Sequence, residues 1–295
     1  MTILESIERP AGKADSFELE QLTGTIGAQV TGIDLTQILP DGVIDELSDA
    51  LVRHKVLFFR DQPITTDQHL ALGRRFGPLE VHPFAMMSMF ANDPARPELI
   101  VLESTAEKPG AAHVWHSDVS FRPEPSMASI LRCRIAPEVG GDTLWANMAA
   151  AFEGLDDKTR SLISGLTAIH DWEIFRYGFR KFGGTSDDTI AELGREHPPV
   201  EHPVVRTHPV SGEKILYVNA NFTKSIKGMK EAESQSLLER LYRQASIPDY
   251  QVRFRWRADS IAFWDNRSTQ HYASADFVPR HRKMERVTIA GDRPF

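Results

Sequence analysis

Short apolar runs broken by glycine and proline dominate the chain. Val56-Leu57-Phe58-Phe59 is uninterrupted and apolar, is closed by Arg60-Asp61-Gln62-Pro63, and predicts a strand. Residues 251–257 alternate Val252, Phe254 and Trp256 with Arg253, Arg255 and Arg257, the clearest period of two in the sequence. Further strands are expected in 27–35, 99–102, 114–121, 128–134, 140–145, 202–207, 214–219, 261–264 and 285–290. His208-Pro209-Val210-Ser211-Gly212 supplies a hairpin turn between two of them. Helical spacing is rarer. It occurs at Ile44, Leu47 and Leu51 after Pro40-Asp41, at Leu162, Ile163 and Leu166, and at Leu237, Leu238, Leu241 and Ala245. Thr65 or Thr66 caps one more helix, stopped by Phe76-Gly77-Pro78.

Many short strands with helices inserted between them predict a mainly β fold, a sandwich or barrel decorated by helices. Residues 1–18 read as a flexible N-terminal tail and 19–295 as one domain. Residues 178–199 are polar and rich in breakers, and form either a lid over a pocket or a plain surface insertion. No repeat or low-complexity tract interrupts the pattern.

Composition narrows the function classes. Hydrophobic content of 41% and charged content of 25% over 295 residues are ordinary for a globular chain, and 18 prolines with 19 glycines favour loops over bundles. A formal net charge of -7 argues against nucleic acid as a partner, but leaves room for a small anionic substrate held by pocket arginines. The single cysteine, Cys133, reads as a buried apolar residue rather than a nucleophile. Residues 1–22 include Glu5, Glu8 and Asp15 with no apolar signal core, and no run approaches a membrane span, so a cytoplasmic protein is expected.

The candidate chemistry lies in Trp115-His116-Ser117-Asp118-Val119 and in Trp264-Asp265-Asn266-Arg267-Ser268-Thr269-Gln270-His271. If the first segment is a strand, His116 and Asp118 share a face. With His271 they make two imidazoles and a carboxylate, a set that occupies one face of an octahedral iron and leaves the other positions open. A polar strand face carrying a chance His-x-Asp is the bland alternative. Arg282 and Arg286 share a face if 282–290 is extended, and paired guanidinium donors suit carboxylate or sulfonate oxygens.

With Val56 to Gln62, Gly140-Gly141-Asp142-Thr143-Leu144-Trp145 and His202 to Pro209, these motifs resemble, in order, those of the TauD/TfdA family of iron(II)- and 2-oxoglutarate-dependent dioxygenases. The likeness runs from about Thr25 to Phe295 and is nearest to the taurine dioxygenases. It implies a double-stranded β-helix, a jelly-roll and cupin-like fold, and a homo-oligomer, dimer or tetramer. It makes His116, Asp118 and His271 the Fe(II) ligands and assigns Thr143 and Arg282 to 2-oxoglutarate, with O2 as the other cosubstrate. It places His82, Val119, Phe222 and Arg286 around the substrate. Trp264 falls near the iron, or is a buried structural indole. Two departures stand out: Ala85 and Ala112 replace polar residues that serve the amine of taurine.

The implied reaction hydroxylates the carbon next to a sulfonate, of taurine or another alkanesulfonate, releasing sulfite and an aldehyde with succinate and CO2. The alternatives are an alkyl sulfate dioxygenase releasing sulfate and a phenoxyacetate-type carboxylate dioxygenase. A non-catalytic metal- or ligand-binding barrel is more remote. A zinc hydrolase would explain the triad but not Thr143 and Arg282. Residues 84–90, rich in Phe and Met, cover either a pocket or a subunit interface.

Overall fold

The computed structural model describes residues 16–85, 87, 93–107, 114–182 and 184–295. Most of the expected tail, Ala112 and most of the stretch 84–90 lie outside these residues. One seven-stranded sheet organises the molecule. Its strands are β1 (Glu18–Gln21), β2 (Ala28–Thr31), β3 (Val56–Phe59), β4 (Ile100–Ser104), β5 (Ala128–Ile135), β13 (Ile261–Asp265) and β15 (Arg282–Ile289). Their order is β1-β2-β3-β13-β5-β15-β4. Every pair is antiparallel except β2 and β3. A parallel pair needs a crossover, and helix α1 (Asp41–His54) provides it.

Three smaller sheets complete the set. One has β6 (Thr143–Asn147) between β12 (Gln251–Phe254) and β14 (Thr269–Ala273). Another has β7 (Thr167–His170) between β8 (Val200–Pro203) and β11 (Thr223–Ile226). The third is the hairpin of β9 (Val205–Thr207) and β10 (Lys214–Leu216). The remaining helices are α2 (Thr66–Arg74), α3 (Met148–Glu153), α4 (Asp157–Ile163), α5 (Glu173–Phe182), α6 (Asp187–Glu196) and α7 (Glu231–Tyr242).

The fold implied by the resemblance needs correction here. Among the described residues no sheet closes on itself, so this is not the expected double-stranded β-helix or jelly roll. The large sheet is open, with β1 and β4 as its edges, and the other strands are divided among sheets of two, three and three. The physical reason is that period-two alternation reports how one strand presents its faces. It carries no information about which strand lies beside it.

Alternation nevertheless builds the core. Leu57, Phe59, Ile130, Ile261, Phe263 and Val287 point from the large sheet to Leu47, Ala50 and Leu51 of α1 and Leu70 of α2. Val56, Phe58, Leu131, Cys133, Ala262, Trp264 and Met284 point the other way, onto Trp145, Val252, Phe254 and Trp256. Phe58 stacks on Phe254 with ring centroids 4.2 Å apart. Truncating a side chain so placed costs about 3–5 kcal/mol. A third core lies under α3 and α7, where Met148, Leu237, Leu238 and Leu241 pack with Ala168, Ile215 and Ile226. Cys133 is fully buried, and burial pushes its thiol up to about 11, which makes it unreactive. Among the described residues no helix is long and apolar enough to cross a membrane.

Candidate active site

The seam between the large sheet and the β12-β6-β14 sheet gathers the polar residues. His271 sits on β14, Thr143 on β6, and Arg282 and Arg286 on β15, four residues apart on one face. His116 meets His271 in a single antiparallel bridge, His116 N donating to His271 O at 3.1 Å and His271 N to His116 O at 2.8 Å. The expected strand over 114–121 does not form. One bridge is followed by a turn in which Arg122 N donates to Val119 O at 2.9 Å. Val119 adopts a φ of 44°, a left-handed conformation that a β-branched residue resists by about 1–3 kcal/mol. The chain is thereby redirected immediately after Asp118.

The structure brings His116, Asp118 and His271 together, with one ligand atom from each within 4.8 Å of the others. Asp118 Oδ1 lies 3.9 Å from Nε2 of both histidines. His116 donates from Nδ1 to the Val114 carbonyl at 2.8 Å, which leaves the lone pair on Nε2 directed at the site. Burial, then the charge on Asp118, governs His116, and the net effect lowers its pKa. Burial and the neighbouring His116 push His271 down to about 3. Both imidazoles are therefore neutral near pH 7, as metal ligation requires.

Burial alone would raise the Asp118 carboxyl. Arg286, the two imidazoles and Ser129 override it and hold the group well below the usual carboxylate range. Ser129 donates to Oδ2 at 2.7 Å, and Arg286 Nη1 donates to Oδ1 at 2.6 Å. Asn266 ties the support together: Nδ2 donates to Ser129 Oγ at 3.0 Å, and Oδ1 accepts Trp264 Nε1 at 2.8 Å. Ser117 Oγ donates to the Asn266 carbonyl at 2.6 Å. Trp264 is fully buried with its ring 5.0 Å from that of His271, so it is both structural and next to the site. Asn266 could have been found in sequence from its place in the Trp264 to His271 motif. Ser129 had only one faint signal, a hydroxyl inside an apolar strand.

Arg282 is buried, and burial lowers its pKa to about 10. Its Nε donates to the Gly141 carbonyl at 3.2 Å, two residues before Thr143. No ion pair engages this guanidinium among the described residues, which marks a place for an anion. Gly141 (φ 75°) permits the approach, since a Cβ there would lie 2.8 Å from Pro137 and 3.3 Å from the Arg282 side chain. The Thr143 hydroxyl accepts Trp256 Nε1 at 2.9 Å.

A small pocket, with room for about one water molecule, opens beside Asp118, lined by Glu80, His82, Pro83, Val119, Arg122, Ser126, Arg286 and Thr288. His82 accepts Phe84 N–H at Nδ1, 3.1 Å away, so its proton sits on Nε2. Burial and the charge of Arg286 push its pKa down to about 3, leaving a neutral donor. A buried cluster of phenylalanines packs beside the pocket and meets it at Val119. Phe222 lies 6.1 Å from the His116 ring and 5.2 Å from Phe121, and Phe175 of α5 lies 5.6 Å from His82 and 6.0 Å from Phe222. Ala85 is buried in the turn after His82 and adds no polar group. Residues 178–199 contain the end of α5 and all of α6 rather than an irregular excursion.

A model of the family described as "Taurine catabolism dioxygenase TauD, TfdA family" matches residues 18–288. An alpha-ketoglutarate-dependent sulfate ester dioxygenase of Pseudomonas putida is 38% identical, over 96% of this chain and 93% of its own length. An alkylsulfatase of Acinetobacter baylyi is 36% identical, over 94% of this chain and 86% of its own. The crystal structure of a taurine dioxygenase from Burkholderia xenovorans superposes with a TM-score of 0.79 at 34% identity, covering 95% of this chain and 92% of that one.

Proposed function

The chain belongs to the taurine catabolism dioxygenase TauD, TfdA family, and within it we propose that the substrates are alkyl sulfate esters. It is an iron(II)- and 2-oxoglutarate-dependent dioxygenase by its ligand set and its relatives. Two neutral imidazoles and a carboxylate fit Fe(II). With 2-oxoglutarate and dioxygen, the iron supplies hydroxylation of a substrate C–H bond, coupled to formation of succinate and CO2.

The protein's part is binding and orientation. His116, Asp118 and His271 hold the metal, with Ser129 and Asn266 fixing the carboxylate. Arg282, buried and without an ion pair among the described residues, receives the distal carboxylate of 2-oxoglutarate beside the Thr143 hydroxyl. Arg286 and the Nε2–H of His82 hold the anionic head of the substrate, and Val119, Phe175 and Phe222 enclose its apolar body and exclude water. Hydroxylation of the carbon that carries the sulfate oxygen gives an adduct that collapses to an aldehyde and sulfate.

The observation that carries this reading is a pocket holding Arg286 beside a buried cluster of phenylalanines that meets it at Val119 and His82, where Ala85 offers nothing to an ammonium. Two relatives named for sulfate ester and alkyl sulfate chemistry favour the ester over a sulfonate. A phenoxyacetate-type carboxylate is the second reading, favoured by the same aromatic cluster. The test is turnover of hexyl sulfate, hexanesulfonate, taurine and a phenoxyacetate by protein reconstituted anaerobically with iron(II) and 2-oxoglutarate and then exposed to oxygen. Succinate with stoichiometric sulfate from hexyl sulfate, and little turnover of taurine, is expected. Sulfite from hexanesulfonate with no release of sulfate would overturn the ester reading.

A further inference from the structure

The cavity has a second cation that the reading above does not use. Arg122 stands four residues after Asp118, on the turn created by the left-handed Val119. Its Nη1 lies 2.9 Å from Glu80 Oε1 as an ion pair, yet the N–H is not aligned for a hydrogen bond, and the buried atom keeps its donor capacity. Glu80 is itself fixed, since its Oε2 accepts the Ser126 hydroxyl and its backbone N donates to Thr288 O at 2.9 Å. Two further buried donors line the same cavity without a hydrogen-bond partner among the described residues, Arg286 Nε and the Thr288 hydroxyl. Arg286 and Thr288 are two apart on β15 and so face the same side. Three unsatisfied donors around one small cavity are costly unless something accepts from them.

We propose that Arg122, braced by Glu80, is a second anion-binding guanidinium of the substrate cavity, and that with Thr288 it receives head-group oxygens that Arg286 does not hold. This deepens, and in its choice of ester rests on, the reading of the substrate as an alkyl sulfate. In a sulfate ester the sulfur stands one atom farther from the oxidised carbon than in a sulfonate. If that carbon is to face the metal, the head must reach deeper into the cavity. Arg286 touches Asp118 directly, whereas Arg122 touches Glu80, one step removed from the ligands. A second anchor at that remove suits the longer head. His82 lines the same pocket as both guanidiniums.

The experiment is calorimetric titration, under anaerobic conditions, of protein loaded with iron(II) and 2-oxoglutarate. The titrants are hexyl sulfate, hexanesulfonate and inorganic sulfate, and thermal melts establish that each variant is folded. Loss of charge-assisted donors in Arg122→Gln should weaken hexyl sulfate binding by about tenfold or more, and hexanesulfonate by less. Arg122→Lys should fall in between, because it retains the charge without the planar fork. The double variant Glu80→Gln/Arg122→Gln should remain as weak as Arg122→Gln. Recovery of affinity in the double variant would overturn the proposal, since a bared Glu80 would then have been repelling the anion. Affinity within about threefold of wild type in Arg122→Gln, for every anion that wild type binds, would overturn it too. Wild-type turnover of hexyl sulfate judges the substrate class alone. The ratio of variant to wild-type affinity judges Arg122.

Discussion

Ser129→Ala is the sharpest probe of the metal centre, because Ser129 touches a ligand and nothing of the substrate. Its hydroxyl donates to Asp118 Oδ2 at 2.7 Å and accepts from Asn266 Nδ2 at 3.0 Å. A buried hydrogen bond to an ionised group is worth about 1.5–3 kcal/mol, which is about 10- to 100-fold in an equilibrium constant. Not all of that reaches the metal affinity, because the bond is made in the metal-free chain as well. What changes is the orientation of the carboxylate. Without Ser129, Asp118 is free to turn both oxygens towards Arg286, which already holds Oδ1 at 2.6 Å and competes with the metal for it.

The expected loss is therefore at the lower end of the range, about tenfold in iron(II) or cobalt(II) affinity, as for other outer partners of metal ligands. Anaerobic metal titration reads it directly, and a melting curve of the metal-free protein separates it from any general loss of stability. Adding Asn266→Ala should cost less than the sum of the two single losses, because both residues act on one carboxylate. Metal affinity within about twofold of wild type, alongside a clear fall in melting temperature, would show that the network serves the fold and not the ligand.

Arg282→Met should raise the KM for 2-oxoglutarate by about 100-fold or more while leaving the melting temperature level or higher, because it removes a buried guanidinium that has no ion pair among the described residues. A steady-state titration of 2-oxoglutarate and a melt decide it, and an unchanged KM refutes the assignment. Stability should also fall with acid. His69 and His202 are held neutral, burial pushing them down to about 3 and about 4, so between pH 6.5 and those values the unfolded chain binds more protons and stability rises with pH. Each contributes up to about 1.4 kcal/mol per pH unit within its window. His69→Gln should flatten the dependence of unfolding free energy on pH between 4.5 and 6 by about that amount, as read by denaturant titration, and an unaltered slope counts against it.

The parts of this molecule legible in sequence are those in which one residue's neighbours along the chain decide its environment. Val56 to Phe59 reads as a buried strand, and it is one, fully buried inside the sheet between β2 and β13. Helix α6 was hidden among breakers, although Ser186 accepts Thr189 N as a regular N-cap and the signal stood in Ser186-Asp187-Asp188-Thr189. What pairing decides was not legible, and so the sheets differ from those the resemblance implied. The segment around the metal shows why this matters for function. Alternating Val114, His116 and Asp118 with Trp115 and Ser117 reads as a strand, and a strand would have sent Val119 and Asp118 to opposite faces. The left-handed turn at Val119 instead places Asp118, Val119 and Arg122 around one cavity. Arg122 and Thr288 carry no motif, because what sets them apart is a buried donor atom left without a hydrogen-bond partner among the described residues, a property of the folded chain. The irregularity that misled the local pattern is therefore what assembles the site.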